Sequence, residues 1–314
     1  LREYLNGLPP EARAAARQAL RIHLYSKDAV AFAEDILGFK PDPFQREMLA
    51  AGPGARVAVT CHRQAGKSHA ISSVCTHILT FGPIGRQDLQ RTTTIIACPS
   101  QRQAQEVLRR TRGMLMAAYE AGFDGAKPVT DNAGSIVCAS GHRAVALPAT
   151  EQSIRGLTVD AALLIDEAQH APEPLVSALL PMTLRWPHSR VYFTGTAWLK
   201  GVGTFYHAWA GAPDNGFIGI TAKLSESTQV SPETVEQQRA LMTADVFRRE
   251  FECEWLETSE SRLFEPSVIE RALGLTPQPT PDSTAAVDVD AERVVAVSRP
   301  FSFKEYSPDQ TMRA

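Results

Sequence analysis

Apolar residues recur along this chain with two different periods, and the way the periods take turns predicts the fold. Short apolar or β-prone runs at Arg56–Thr60, Thr92–Cys98, Ala161–Ile165, Arg190–Thr194 and Gly216–Thr221 read as strands. Helical spacing intervenes at Lys67–Leu79, Ser100–Glu120, Pro174–Leu184 and Thr204–Ala210. Strands separated by helices imply parallel βαβ units in a sheet covered on both faces. Ser135–Ala139 with Ala144–Leu147 reads as a short hairpin. Upstream, Pro10–His23 and Ser26–Leu37 predict two amphipathic helices stopped by Gly38, Pro41 and Pro43. Downstream, Ser231–Met242 and Thr243–Trp255 predict two more, and Thr276–Ser283 reads as a Pro/Thr-rich linker. The chain thus divides into an N-terminal helical segment at 1–40, an α/β core with a helical lid at 41–257, a linker at 258–284 and a C-terminal stretch at 285–314.

Two of the predicted strands end in residues that carry chemistry. After the first comes Cys61-His62-Arg63-Gln64-Ala65-Gly66-Lys67-Ser68, in the strand–loop–helix context of a phosphate-binding loop. Backbone N–H groups and the helix dipole of such a loop point at phosphates. Lys67 is expected to neutralise the β- and γ-phosphate oxygens and the Ser68 hydroxyl to ligate Mg²⁺. The first glycine of the usual pattern is replaced by Cys61, so the loop must open without a left-handed backbone there. The strand Ala161–Ile165 runs into Asp166 and Glu167, two carboxylates at the ligand-binding edge of a parallel sheet. Asp166 is expected to hold Mg²⁺, and Glu167, not spent on the metal, to polarise the attacking water. The pair of motifs implies ATP and Mg²⁺.

Further candidates surround that pair. Phe44 and Gln45, on a turn opening a helix, are expected to pack on and read the adenine, the alternative being a helix start with an apolar staple. Thr194 and Thr196 of Thr194-Gly195-Thr196-Ala197 are expected beside the γ-phosphate, where their hydroxyls would sense hydrolysis. Arg63 inside the loop and Arg155 in the stretch before the carboxylate strand are positive charges placed to stabilise a phosphoryl transition state, in cis and in trans respectively. Their alternative is a surface or phosphate-positioning charge.

Composition narrows the setting. With 44% hydrophobic and 21% charged residues among 314, the chain can bury a full core. A net charge of −3 excludes a uniformly basic nucleic-acid coat, so any such contact is local or shared between subunits. Five widely spaced cysteines without a C-x-x-C pair indicate neither a disulfide framework nor a zinc site, and a reduced compartment is expected. No apolar run approaches membrane-spanning length, so no membrane association is expected.

Taken in order, Phe44-Gln45, the Arg63–Ser68 loop, Ser153-Ile154-Arg155-Gly156, the Ile165–Ala168 strand end, the Thr194–Ala197 turn and Phe247–Trp255 resemble the large terminase subunit of tailed bacteriophages, over about Pro41 to Phe264. The loop of that family often lacks the first glycine and carries an arginine, as here. The resemblance implies a P-loop NTPase of the additional-strand, catalytic-glutamate type: an α/β fold with a mostly parallel sheet flanked by helices, N-terminal helices and a small helical lid. It implies an ATPase that assembles as a ring, a pentamer in the family, on a portal protein and procapsid and drives double-stranded DNA inward with a small terminase subunit as partner. It places the protein in the host cytoplasm, docked transiently on the procapsid. Residues matching Arg63 and Arg155 act in the family as cis finger and, in some members, trans finger, which leaves open which is the main one here. Members usually add an RNase H-like nuclease domain. Ala285–Asp290 resembles its first acidic strand or is a short polar tail, and nuclease activity is not expected from this chain. Two alternatives stand beside this reading. A superfamily 2-type helicase shares the Asp166–Gln169 motif and an upstream Gln, but residues 197–314 are too few for its second RecA-like domain. A nucleotide-dependent assembly protein would have little use for Glu167.

Overall fold

A computed structural model describes residues 7–86, 88–148, 157–227 and 230–257. Arg155, the predicted linker and the whole C-terminal stretch lie outside them. The described residues belong to one unit, Leu1–Arg262. Its centre is an eight-stranded sheet: β1 (Arg56–Cys61), β2 (Thr93–Cys98), β3 (Pro128–Asn132), β4 (Ser135–Cys138), β5 (Arg143–Pro148), β6 (Ala162–Asp166), β7 (Arg190–Gly195) and β8 (Ile218–Ala222). The order across the sheet is β3-β4-β5-β2-β6-β7-β1-β8. From β5 to β8 every neighbouring pair is parallel, and only β3–β4 and β4–β5 are antiparallel. The sheet is therefore mixed and mostly parallel, as the resemblance implies.

Alternation within each strand sorts side chains onto two cores. Val57, Val59, Ile96, Leu164 and Tyr192 face one, and Ala58, Ile95, Leu163, Val191 and Phe193 face the other. Strands buried on both faces need the nearly continuous apolar runs that made β1, β2, β6 and β7 readable. Helices α1 (Pro10–Lys27), α2 (Ala29–Asp35), α3 (Pro43–Ala50), α4 (Lys67–Phe81) and α5 (Gln101–Glu120) cover the first face. The Ser100 hydroxyl caps α5 by accepting from the Gln103 N–H, and Gln103 reaches back to the Ser100 N–H. Helices α6 (Glu173–Thr183) and α7 (Gly203–Ala210) cover the second face.

The N-terminal helices are built into the core. Asp28 breaks the predicted pair by capping α2 through the Ala31 N–H. Phe32 of α2 is fully buried, with ring centroids 5.1 Å from Phe81 at the end of α4 and 5.6 Å from Phe123, both edge-to-face. His77 lies 5.6 Å away, and burial lowers its pKa to about 4.

Two expectations need correction. Strand β3 was not foreseen, because Pro128-Val129-Thr130-Asp131-Asn132 is largely exposed at the sheet edge and carries no apolar alternation. The helix expected over Thr243–Trp255 ends at Glu250 as α9 (Ala244–Glu250), following α8 (Pro232–Ala240). Cys253 adopts a left-handed backbone (φ 58°), and the chain turns to donate from Leu256 N–H to Trp198 O and receive Lys200 N–H. A small separate core of Leu224, Val235, Phe247 and Phe251 holds this lid. Replacing Phe32 by Ala should cost about 3–5 kcal/mol in denaturant unfolding. A loss under about 1 kcal/mol would mean that the N-terminal helices are not integral to the core.

Candidate functional site

The register of the sheet gathers the candidate residues. Strands β6, β7 and β1 are consecutive neighbours, with Asp166 opposite Thr194 and Thr60 opposite Gly195. The loop after β1, the carboxylates ending β6 and the turn after β7 therefore meet at one edge.

The phosphate-binding loop avoids a left-handed backbone at Cys61, as expected. Cys61 completes β1 in register with Ala222, and its thiol, with its pKa pushed up to about 12 by burial, is a neutral wall. The positive φ angles fall instead at Gln64 (64°) and Gly66 (82°). Gly66 must lack a Cβ, which would stand 2.7 Å from Gln45 Nε2.

Gln45 itself departs from expectation. Its Oε1 accepts the Asp42 N–H at 2.8 Å, and its Nε2 donates to Ala65 O at 3.0 Å and Gly66 O at 3.3 Å. The buried amide is committed to supporting the loop and is not presented to a base. Phe44 lines a cavity of about 140 Å³ with His62, Lys223 and Glu226. Burial lowers the His62 pKa against a smaller opposing effect of its bond to Arg63 O.

Lys67 and Glu167 form the central contact. Lys67 Nζ lies 2.8 Å from Glu167 Oε1, with side chains 10% and 27% exposed. Burial alone would lower the Lys67 pKa, but the carboxylates of Asp166 and Glu167 oppose it and the net direction is up. Glu167 is held below the usual carboxylate range despite burial, by Lys67, a bond from Gln169 and His170. Its backbone is left-handed, at φ 53°.

Asp166 sits in a different environment. Its Oδ2 accepts the Ser68 hydroxyl at 2.6 Å, and its Oδ1 accepts the Thr194 hydroxyl at 2.9 Å and the Glu167 N–H at 3.0 Å. Burial raises its pKa, and Lys67 and Ser68 only partly oppose the rise. Adjacent carboxylates are thus pushed in opposite directions, which separates their roles. The donor set of one hydroxyl and one carboxylate is hard oxygen and suits Mg²⁺. Among the described residues no group of three or more His, Cys, Asp or Glu could hold a metal.

The threonines also differ from expectation. Thr194 is fully buried and its hydroxyl is spent on Asp166, so it supports that carboxylate and does not face a ligand directly. Thr196 accepts from Gln169 Nε2 at 3.1 Å, and the same nitrogen donates to Glu167 Oε2 at 2.7 Å. Gln169 was missed by sequence reasoning, although it is the fourth residue of the Asp166–Gln169 motif. Arg63 is two-thirds exposed and points to the lid: its N–H donates to Glu250 O at 2.7 Å, and its guanidinium lies 3.8 Å from the Glu250 carboxylate. A second cavity, of about 420 Å³, is lined by Ser68, Asp166 and Glu167 together with Arg102, Glu106 and Arg110 of α5. Neither arginine was singled out from sequence, since each reads as an ordinary polar position on α5.

The geometry of Gln45 generates a test. Gln45→Leu removes the amide's bonds to Asp42 N–H, Ala65 O and Gly66 O, so stability should drop by about 1–3 kcal/mol and affinity for ATP and GTP should fall by the same factor. A change in the ATP-to-GTP ratio above about tenfold in that variant would restore Gln45 as a base reader.

A profile of the family described as "Terminase large subunit, T4likevirus-type, N-terminal" matches residues 62–271. Comparison with curated proteins gives no match. Among solved structures, the chain is similar to the Thermus phage P74-26 large terminase ATPase domain, with 21% identity and a TM-score of 0.56 over 73% of this chain and 99% of that one. It is similar to the HK97 bacteriophage large terminase, with 14% identity and a TM-score of 0.58 over 73% of this chain and 54% of that one. It also resembles the large terminase of a thermophilic bacteriophage in complex with ADP, with 11% identity and a TM-score of 0.52 over 74% of this chain and 53% of that one. The chain spans about half the length of the last two proteins. These likenesses establish the fold, and the family match, covering well over half of the chain, establishes more: the chain belongs to the large terminase subunit family and carries its N-terminal part.

Proposed function

We infer that the chain is the ATP-hydrolysing part of a motor subunit that moves double-stranded viral DNA into a procapsid. The observation that carries the site assignment is the Lys67–Glu167 pair standing beside the Ser68–Asp166–Thr194 relay. One carboxylate is buried among donors, and the other is held only by groups that a nucleotide can displace or leave in place.

The chemistry follows from that difference. Phosphate oxygens offer the Lys67 ammonium a more highly charged partner than one carboxylate, so binding draws Lys67 from Glu167. Glu167 Oε1, freed of its cation, then accepts a proton from the attacking water. Ser68 and Asp166 would hold Mg²⁺, which when bound would neutralise charge on the phosphate oxygens. Phe44 borders the cavity assigned to the base, with Gln45, Gln64, Ala65 and Gly66 shaping the loop that encloses the phosphates. Arg63, now on Glu250, supplies positive charge to the transferring phosphoryl group, as does Arg155 from a neighbouring subunit. Thr194 and Thr196 pass the loss of the γ-phosphate to the strand edge and on to the lid.

The wider setting of this proposal is the one that the sequence resemblance implies: a homo-oligomeric ring docked transiently on portal and procapsid in the host cytoplasm, with a small terminase subunit as partner. Among the described residues no helix is long and apolar enough to cross a membrane. The family match favours this reading over the helicase and assembly-protein alternatives. Glu167→Gln should retain affinity for a non-hydrolysable ATP analogue while steady-state turnover falls by about 10²–10⁴. Normal turnover in that variant contradicts the assignment of Glu167 as base.

A further inference from the structure

The side chain of Gln169 touches both the carboxylate assigned as base and the turn after β7. Its Nε2 donates to Glu167 Oε2 at 2.7 Å and to Thr196 Oγ1 at 3.1 Å. The orientation of the amide is fixed by charge, because turning it over would set Oε1 against the Glu167 carboxylate. Its Oε1 is buried and has no hydrogen-bond partner among the described residues, so an amide oxygen is left unsatisfied to aim both N–H groups this way. Gly195 makes the room: a Cβ there would stand 2.1 Å from Gln169 Oε1. The glycine of the Thr-Gly-Thr turn thereby has a physical reason independent of its backbone angles.

The division of the two Glu167 oxygens gives this contact a consequence. Lys67 occupies Oε1 and Gln169 occupies Oε2. A phosphate that attracts Lys67 vacates Oε1 only, and Oε2 stays pinned. We propose that Gln169 is a positioning residue that holds Glu167 by Oε2, so that Oε1 is the oxygen presented to water, and that ties this orientation to Thr196. The proposal rests on Glu167 being the base. Without Gln169, release of Lys67 would leave a carboxylate on a left-handed backbone with neither oxygen fixed.

The test separates a positioning role from a structural one. Gln169→Met keeps the length of the side chain and removes its donors, and Gln169→Glu keeps the shape and replaces the amide nitrogen by a non-donating oxygen. Both should lose about tenfold or more in kcat, with KM for ATP and Kd for a non-hydrolysable analogue within about twofold of wild type. In a Glu167→Gln background, Gln169→Met should add no further loss, because it acts through Glu167. An unchanged kcat in Gln169→Met, an equal fold-loss in both backgrounds, or a Kd that weakens in parallel with kcat overturns the proposal. Wild-type turnover by Glu167→Gln alone removes the base assignment and this inference with it. Loss in Glu167→Gln with none in Gln169→Met removes only the latter.

Discussion

A nearly buried ammonium must have a counter-charge, and the site is organised around how Lys67 obtains one. Its side chain is 10% exposed at the start of α4, where the helix dipole is itself positive. Two carboxylates are close. Asp166 already accepts from Ser68, Thr194 and its neighbour's N–H, and the direct contact of Lys67 is with Glu167. The residue assigned to hydrolysis is therefore occupied by the residue assigned to phosphate, a conflict that in the proposed function the arrival of the nucleotide resolves.

That arrangement needs unusual backbone. Among the described residues, the non-glycine positions with positive φ are Gln64, Glu167 and Cys253: one in the phosphate loop, one at the carboxylates and one where the lid chain turns back. Each costs on the order of 1–3 kcal/mol and persists only where its surroundings over-determine it. Two apolar cores, one on each face of the sheet, supply that rigidity. The lid rests on its own small core and reaches the loop through Glu250, so movement of Arg63 and movement of the lid are joined.

Much of this was legible in the sequence, for reasons that also explain what was not. Strands β1, β2, β6 and β7 announce themselves because burial on both faces demands apolar runs, and α5 because Ser100 and Gln103 form its cap. The loop, Asp166 and Glu167 meet because parallel neighbours bring their C-terminal ends to one edge. Edge strand β3 is polar, and α9 ends at a turn enforced by contacts with Trp198 and Ala222, which no local pattern encodes. Gln45 shows the limit most clearly. Its residue type suits reading a base, yet its amide turns inward to the loop. Gln169 shows the converse, an unremarked polar residue made important by a three-residue turn.

The central claim is that nucleotide phosphate takes Lys67 away from Glu167. The most direct measurement is a crystal structure of this chain with ADP, Mg²⁺ and beryllium fluoride in place of the γ-phosphate. The account predicts Lys67 Nζ on the phosphate mimic, with Glu167 Oε1 free of it and facing water. A complex in which the 2.8 Å contact between Lys67 and Glu167 persists with the mimic bound would contradict it.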